Sequence, residues 1–441
     1  MASTVRFDPR MFIGPPFGPC PKCGAVEFGT ATINKVSFTR QCRACRHRAT
    51  QRLPALKKKL IYLDQMAASG MAKTLDPVWA ATSGPQHARW SKMFETLERA
   101  FKLQLIVCPQ SSVHEKESAL ASQPTMLRTL YEHLANGMSF QYPVIIHQHQ
   151  LGVAMRAVLS GQVPRYDLRR TQVLYADPDE WMDRIRVSVN LAGLAPSADV
   201  QRQIRARSQA AMVQFFERWK TEKDKTFEYW YRLERRGHAI NYAYLFAQQI
   251  SLVQRVMRGE APFTEDVWNP RLEAGVVSAL MHVAEEAGYS RDAALDTVVR
   301  FLFSDAAFDA PANNISALLM AAIARKAANG QKRPPSAGMW NDVTAIATFF
   351  PYCDGMFLDN ECAGLLREEP LRSKLAPFGT RIFSSKTGDE FLAYLAGLEQ
   401  EAGAEHVALV GQVYGDGWAV PYREVLIHKR ERDAREAQRS K

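Results

Sequence analysis

Hydrophobic and polar positions change their period along the chain, and the change divides it into parts. Residues 1–19 are rich in Pro and Gly and read as irregular. Two short strand-like stretches follow, "VEFGTATI" and "KVSFTRQC". From 57 to about 135 the order reads strand ("LIYL"), helix, helix, strand ("LQLIVCP"), helix, helix, which predicts an α/β layer structure. Residues 150–310 read as long helices with few strand signals. From 313 the α/β character returns with the helix "NNISALLMAAIARKAANG", the helix "MWNDVTAIATFF", the segment "PYCDGMFLDNECAGLL", a strand-like "GTRIFSS" and the helix "GDEFLAYLAGLEQ". No internal repeat is visible. The expected parts are 1–56, a small module with a basic linker; 57–149 and 311–405, two halves of an α/β core; 150–310, an α-helical insertion; and 406–441, a C-terminal strand and a charged tail.

The longest apolar run, "ISALLMAAIA", is about half of the roughly 20 residues that cross a bilayer, so no membrane span is expected. The N-terminus lacks the pattern of a signal peptide. Seven cysteines without such a signal, four of them in tight pairs, point to a reducing compartment and a metal site, hence a cytoplasmic protein. Cys20 and Cys23 in "CPKCG", with Cys42 and Cys45 in "CRACRHR", have the spacing of two knuckles that converge on one tetrahedral zinc. A closed shell of thiolates makes that zinc structural. Cys108, Cys353 and Cys362 are scattered and read as small core residues.

Charge is uneven. The first 60 residues hold twelve Lys or Arg against Asp8 and Glu27 alone, which accounts for the formal excess of +10 of the whole chain. A basic end on a balanced protein suggests a docked polyanion. Arg40, Arg43, Arg46 and Arg48 around the second knuckle, with Lys57, Lys58 and Lys59, are the expected phosphate contacts. Between 201 and 236, ten basic and five acidic residues accompany aromatics at helical spacing (Met212, Phe215, Phe216 and Trp219, then Phe227, Trp230 and Tyr231). That pattern fits a nucleic-acid groove, or, in the plainer reading, a core face opposite a solvated one.

The strand "LIYL" stops on Asp64, where a further apolar residue would be expected. In an α/β sheet, ligands bind outside the carboxyl ends of the strands, although a single Asp there is also a common helix N-cap. After the second strand, "QSSVHEKES" places Glu115 and Glu117 at a helix start, and "PYCDGMFLDNE" places Asp354 and Asp359 around another. Carboxylates from separate segments are what a Mg²⁺ or Mn²⁺ site requires. His114 is a candidate proton relay, "HQH" at 147–149 reads as surface, and Asp342 in "WNDV" is a candidate outer acid or an exposed helix acid.

The cysteine module resembles the zinc ribbons of transposases and transcription factors. The acid layout resembles the PIN-like nuclease superfamily, in particular bacterial members that carry a cysteine-pair module in front, through "IYLDQ" and "PYCDGMFLDN". The resemblance implies a parallel-sheet α/β core, here 57–149 and 311–405, interrupted by the large helical insertion and preceded by the ribbon. It implies Asp64, followed by Ser69 in the first helix; Glu117, six residues after Ser111 and favoured over Glu115; and Asp354 at the head of a helix. These three would hold Mg or Mn as catalytic residues, with Asp359 replacing a fourth acid where "RIFSSKTGDEF" offers only Ser384 and Ser385. Gln65 and Met66 stand where the family carries Ser, Thr or Asn. The expected function is a metal-dependent nuclease acting on RNA rather than DNA, with a ribbon that docks nucleic acid. The alternatives are a non-catalytic nucleic-acid-binding or regulatory protein, and a transposase-like enzyme. The helical insertion is an expected surface for a second copy or a protein partner.

Overall fold

The computed structural model describes residues 8–75, 84–121, 124–183, 198–268 and 271–419, and it contains two four-stranded sheets. The first is antiparallel and runs in order through β1 (Gly14–Gly18), β2 (Phe28–Ile33), β3 (Ser37–Cys42) and β4 (Arg48–Arg52). Part of the N-terminal stretch expected to be irregular is therefore an edge strand: Gly14 pairs with Thr30, and Gly18 with Phe28. The second sheet is parallel throughout. It contains β5 (Lys59–Leu63), β6 (Ile106–Val107), β7 (Gly355–Phe357) and β8 (Arg381–Phe383) in the order β6-β5-β7-β8.

The parallel strands are short and apolar because both faces are covered. Alternate side chains of β5 enter different cores, as the period of two demands. Leu60 and Tyr62 join Val107 and Met356 on one face; Ile61 and Leu63 join Ile106, Phe357 and Phe383 on the other. The second face is covered by α1 (Gln65–Thr74) and α2 (Gly84–Lys102), and by the C-terminal helix Gly388–Tyr414 through Phe391 and Leu395. Phe357 is fully buried there, a contribution of about 2–3 kcal/mol for a side chain of its size. The antiparallel module docks on this side. Its Ile33, Phe38 and Leu53 share the core, and the Thr30 hydroxyl donates to the Val413 carbonyl at 3.2 Å.

After β6 come α3 (Ser112–Ser118) and α4 (Pro124–Ala135), followed by α5 (Pro143–Leu159). The helices α6 (Ala198–Thr221), α7 (Phe227–Glu234), α8 (Gly237–Met257), α9 (Leu272–Glu286) and α10 (Arg291–Leu302) then lead to α11 (Pro311–Ala328) and α12 (Met339–Phe349). The run Ile315–Ala324, apolar on nearly every side, makes α11 a core helix on the first face of the sheet. The aromatics of α6 and α7 pack against it: Met212, Phe216, Trp219 and Trp230 are buried, while Phe215 is exposed. They form a core face and not a stacking platform for bases. A separate cluster, including Leu151, Met155, Tyr242, Val276, Leu280 and Val298, holds α5, α8, α9 and α10 together.

The expected strand at 406 onward is helix as far as Tyr414, with Gly403 in the left-handed region at φ 77° where the axis breaks. The charged tail from 420 lies outside the described residues. Among those residues, no helix is long and apolar enough to cross a membrane.

Gly70 sets the approach of α1 to α2. A Cβ at this position would lie 2.5 Å from the Trp90 indole. Gly70→Ala is expected to destabilise the protein by about 1–3 kcal/mol, read as a shift of the urea midpoint; an unchanged midpoint would contradict this packing.

Candidate metal centres

The four cysteine sulfurs of the antiparallel module lie within 4.8 Å of one another. Cys20 Sγ is 3.5 Å from Cys45 Sγ, and Cys23 Sγ is 3.7 Å from Cys42 Sγ. A tetrahedron with metal–sulfur bonds of about 2.3 Å has edges of about 3.8 Å, so the donor set fits zinc. Each knuckle closes on a residue in the left-handed region, Gly24 at φ 74° and Arg46 at φ 62°. Their N–H groups return to the carbonyls of Cys20 (2.8 Å) and Cys42 (3.1 Å).

The basic residues around this module divide. Arg40 donates to the carbonyls of Pro16 (3.1 Å) and Phe28 (2.6 Å) and lies over the Phe28 ring. Arg43 donates to the Ile13 carbonyl and lies over Phe17. Lys58 is buried, with its ammonium on the Glu180 carbonyl at 2.6 Å, and burial pulls its pKa down to about 8. Lys59 pairs with Asp354 at 2.9 Å. These four cations hold the chain together and are not free for phosphate, which corrects the expectation for them. Arg46, Arg48 and Lys57 are exposed, with Arg48 donating to Gln41 at 2.9 Å.

The second cluster forms at the carboxyl edge of the parallel sheet. Asp64 follows β5 and is only 8% exposed. Its backbone N–H donates to the Phe357 carbonyl at 2.9 Å, which fixes it beside the end of β7. Although Asp64 stands at the N-cap of α1, its carboxylate makes no capping hydrogen bond; the N–H groups of Gln65 and Met66 lie near enough only to favour its ionised form. Asp359 follows β7 and caps α13 (Asn360–Arg367), accepting from the Cys362 N–H at 2.7 Å. Asp342, half-buried on α12, brings a carboxylate within 4.8 Å of Asp359 and of the Cys362 thiol. Glu117, on α3, accepts from the Asn341 side chain at 3.0 Å.

These carboxylates feel one another. Burial, then Glu117 and Asp359, push Asp64 up to about 7. Burial, then Asp64, Glu117, Asp359 and Glu361, push Asp342 up to about 9. Burial also raises Glu117 and, reinforced by Asp359, Glu361. Burial followed by the charges of Asp342, Asp359 and Asp64 keeps the Cys362 thiol protonated. Among the described residues, no salt bridge reaches Asp64, Glu117, Asp342 or Asp359. Lys116 and Arg205 line the cleft beside Glu117, a cavity of about 400 Å³.

Asp354 does not join this cluster. The segment 355–357 is a strand and not the start of a helix, so Asp354 precedes β7 and lies at the amino edge of the sheet. Its N–H donates to the Leu60 carbonyl, and its carboxylate accepts from the Leu60 N–H at 2.9 Å as well as pairing with Lys59. Five residues at strand rise put roughly 16 Å between it and Asp359. Glu115 is exposed on α3, and Ser69 is half-buried on α1. His114 is fully buried and stacked between Tyr62 (4.8 Å) and Tyr131 (4.4 Å), where desolvation lowers it to about 3. It is a neutral packing residue, not a relay. Asn341 and Arg205 are site residues that the sequence left unassigned; Asp342, read as an outer or exposed helix acid, and Cys362, read as core, stand together at the site.

No family model matches the chain, and neither does any curated protein or solved structure.

The raised carboxylates set a pH dependence. Asp64 and Asp342 bind a proton more tightly folded than unfolded, so their contribution to stability is complete below the unfolded pKa and is lost as pH rises through about 7 and about 9. The metal-free protein is expected to unfold progressively more easily from about pH 5 to pH 9, and added Mn²⁺ should reverse the trend by replacing protons. Thermal unfolding across that range checks it; Mn²⁺ without effect at the alkaline end would contradict a cation site. At the other cluster, Cys42→Ser is expected to lower zinc content from about one per chain to near zero and to expose residues 14–52 to protease. Full zinc retention by that variant, measured by atomic emission, would contradict the assignment.

Proposed function

We propose that the protein is a metal-dependent nuclease that hydrolyses phosphodiester bonds, with RNA preferred over DNA. The observation that supports this reading is that Asp64 and Asp359 follow β5 and β7 at the carboxyl edge of a parallel sheet, with an Asp342 carboxylate within 4.8 Å of Asp359 and Glu117 near enough to raise Asp64. In such sheets the crevice opens where the strand order reverses, here between β5 and β7. The PIN-like resemblance of "IYLDQ" and "GMFLDN" supports the same reading, and RNA is the commoner substrate in that superfamily. The set of acids differs from the one expected by one member, with Asp342 in place of Asp354 and Asp359 kept.

The carboxylates of Asp342 and Asp359, close together beside the protonated Cys362 thiol and with no salt bridge among the described residues, suit a hard divalent ion such as Mg²⁺ or Mn²⁺. Bound there, the ion would supply positive charge for the scissile phosphate and acidify water. The chain's own residues do the rest. Asn341 orients Glu117 by its 3.0 Å hydrogen bond. The Cys362 N–H orients Asp359 at 2.7 Å. Lys116 and Arg205 line the cleft where phosphates of the strand would pass. Asp64, buried at the end of β5 without a capping partner, would act as a ligand of that ion and orient the attacking water. The zinc module would dock the strand through Arg46, Arg48 and Lys57, the cations left exposed. A binding protein without turnover remains the second reading, since the module alone could serve it.

With Mn²⁺ and mixed RNA and DNA oligonucleotides, Asp64→Asn is expected to reduce cleavage by a factor of 10³ or more, on the order of the loss seen when an essential catalytic group is removed. Asp342→Asn should act alike. Asp354→Asn should keep the rate within a few-fold while lowering stability by no more than about 1 kcal/mol, the worth of a partly exposed ion pair. Equal cleavage by wild type and Asp64→Asn, or none by either, would overturn the nuclease reading.

A further inference from the structure

Cys362 differs from the other cysteines outside the zinc module. Cys108 and Cys353 belong to the apolar cores on the two faces of the sheet. Cys362 is as deeply buried, at 2% exposed, yet its sulfur lies within 4.8 Å of carboxylate oxygens of both Asp342 and Asp359. Among the described residues outside the module, these three form the one group of ligand-bearing side chains close enough to share an ion.

The arrangement has a local cause. Asp359 is the N-cap of α13, and Cys362 is the third residue of its first turn. One Asp359 oxygen accepts from the Cys362 N–H at 2.7 Å, which leaves the other oxygen uncommitted beside the sulfur of the same turn. Asp342 comes from α12, so the donors converge from two elements. Asp64 supplies an independent sign that a ligand belongs here. It is 8% exposed and makes no capping hydrogen bond, and among the described residues it has no salt bridge. Its charge acts on both Asp342 and Cys362. A buried carboxylate left in that state is costly unless a cation meets it.

Carboxylates alone do little to separate Mg²⁺ from the first-row transition ions, but sulfur does. Mg²⁺ demands oxygen ligands in near-ideal octahedral geometry and dehydrates reluctantly. Thiolate suits Zn²⁺ and its neighbours, with Mn²⁺ the weakest binder of that row.

We propose that Cys362 is a metal ligand, and that with Asp342, Asp359 and Asp64 it makes this a site for a divalent transition ion such as Co²⁺ or Zn²⁺, selected over Mg²⁺. On binding, the metal–sulfur bond forms as the S–H bond breaks, and the proton leaves to solvent. Burial and the charges of Asp342, Asp359 and Asp64 hold that proton on sulfur in the metal-free protein. A cation neutralises those charges and so removes much of what retains it. Selectivity of this kind rests on the cation site of the nuclease reading, but not on turnover.

The test is a titration of Co²⁺ into the full-length, zinc-loaded protein at about pH 8, where proton competition is weak. It is followed by the near-ultraviolet absorption of a cobalt–thiolate bond, with released zinc measured in parallel. One cobalt per chain is expected to bind with that band and without release of zinc. Cys362→Ser is expected to lose the band and to weaken Co²⁺ by about tenfold or more, since loss of even an outer partner of a ligand costs that much, while Mg²⁺ affinity stays unchanged. The wild-type band does not depend on whether any variant folds, and Asp342→Asn, at a half-buried position, should weaken both ions. No bound cobalt, cobalt bound without the band, a band that grows only as zinc is released, or equal Co²⁺ affinity in Cys362→Ser overturns the proposal. Thiolate-bound cobalt in a protein that cleaves nothing supports the site and contradicts the nuclease reading. Mg²⁺-dependent cleavage that survives Cys362→Ser, with no cobalt band in the wild type, does the reverse.

Discussion

Mutual repulsion among one buried and several half-buried carboxylates is the constraint from which the rest follows. Carboxylates withdrawn from water are costly unless paired, and like charges close together raise one another's proton affinity. Asp342 and Asp359 bring carboxylates within 4.8 Å of one another, Asp64 and Glu117 lie near enough to raise their neighbours, and among the described residues no salt bridge offsets the four. A fold that only needed helix caps there would gain more from Ser or Asn, and Asp64 does not make the capping bond its position offers. Protons relieve the repulsion in part, as the upward shifts of Asp64 and Asp342 indicate. A divalent cation relieves it more completely, and that is the physical basis for reading the cluster as a metal centre.

The sheet imposes a polarity that separates the acids by role. Every strand of the parallel sheet points the same way, so an acid after a strand and an acid before one lie at opposite edges. Asp64 and Asp359 follow β5 and β7. Asp354 precedes β7, where it accepts from the Leu60 N–H and pairs with Lys59. That pair, with Lys58 on Glu180, fastens the linker from the zinc module to the amino edge, remote from the cluster. Lys58 and Lys59 are thus a structural fastening, while Arg46, Arg48 and Lys57 keep their charge at the surface.

Much of this was legible in the sequence where the signal is local. The cysteine knuckles, the β5 run ending on Asp64, and the buried character of "ISALLMAAIA" all depend on short-range pattern. The parallel between "LIYLD" and "GMFLD", two apolar runs each stopped by Asp, would have marked Asp359 as the true counterpart of Asp64. Reading "GMF" as the start of a helix hid it, because a Gly-led run of three apolar residues has no period long enough to distinguish strand from helix. Asp342 and Asn341 reach the site only through the packing of α12 on the sheet, Arg40, Arg43 and Lys58 are engaged by carbonyls distant in sequence, and Lys59 by the distant Asp354 carboxylate. Such tertiary pairings leave no trace in spacing.

The most direct measurement is a crystal soaked in Mn²⁺ and recorded at the manganese absorption edge. The account predicts an anomalous peak among Asp64, Asp342 and Asp359, with manganese–oxygen distances of roughly 2.2 Å for a hard divalent ion. A peak elsewhere, or an empty carboxyl edge in crystals grown above neutral pH, would contradict it.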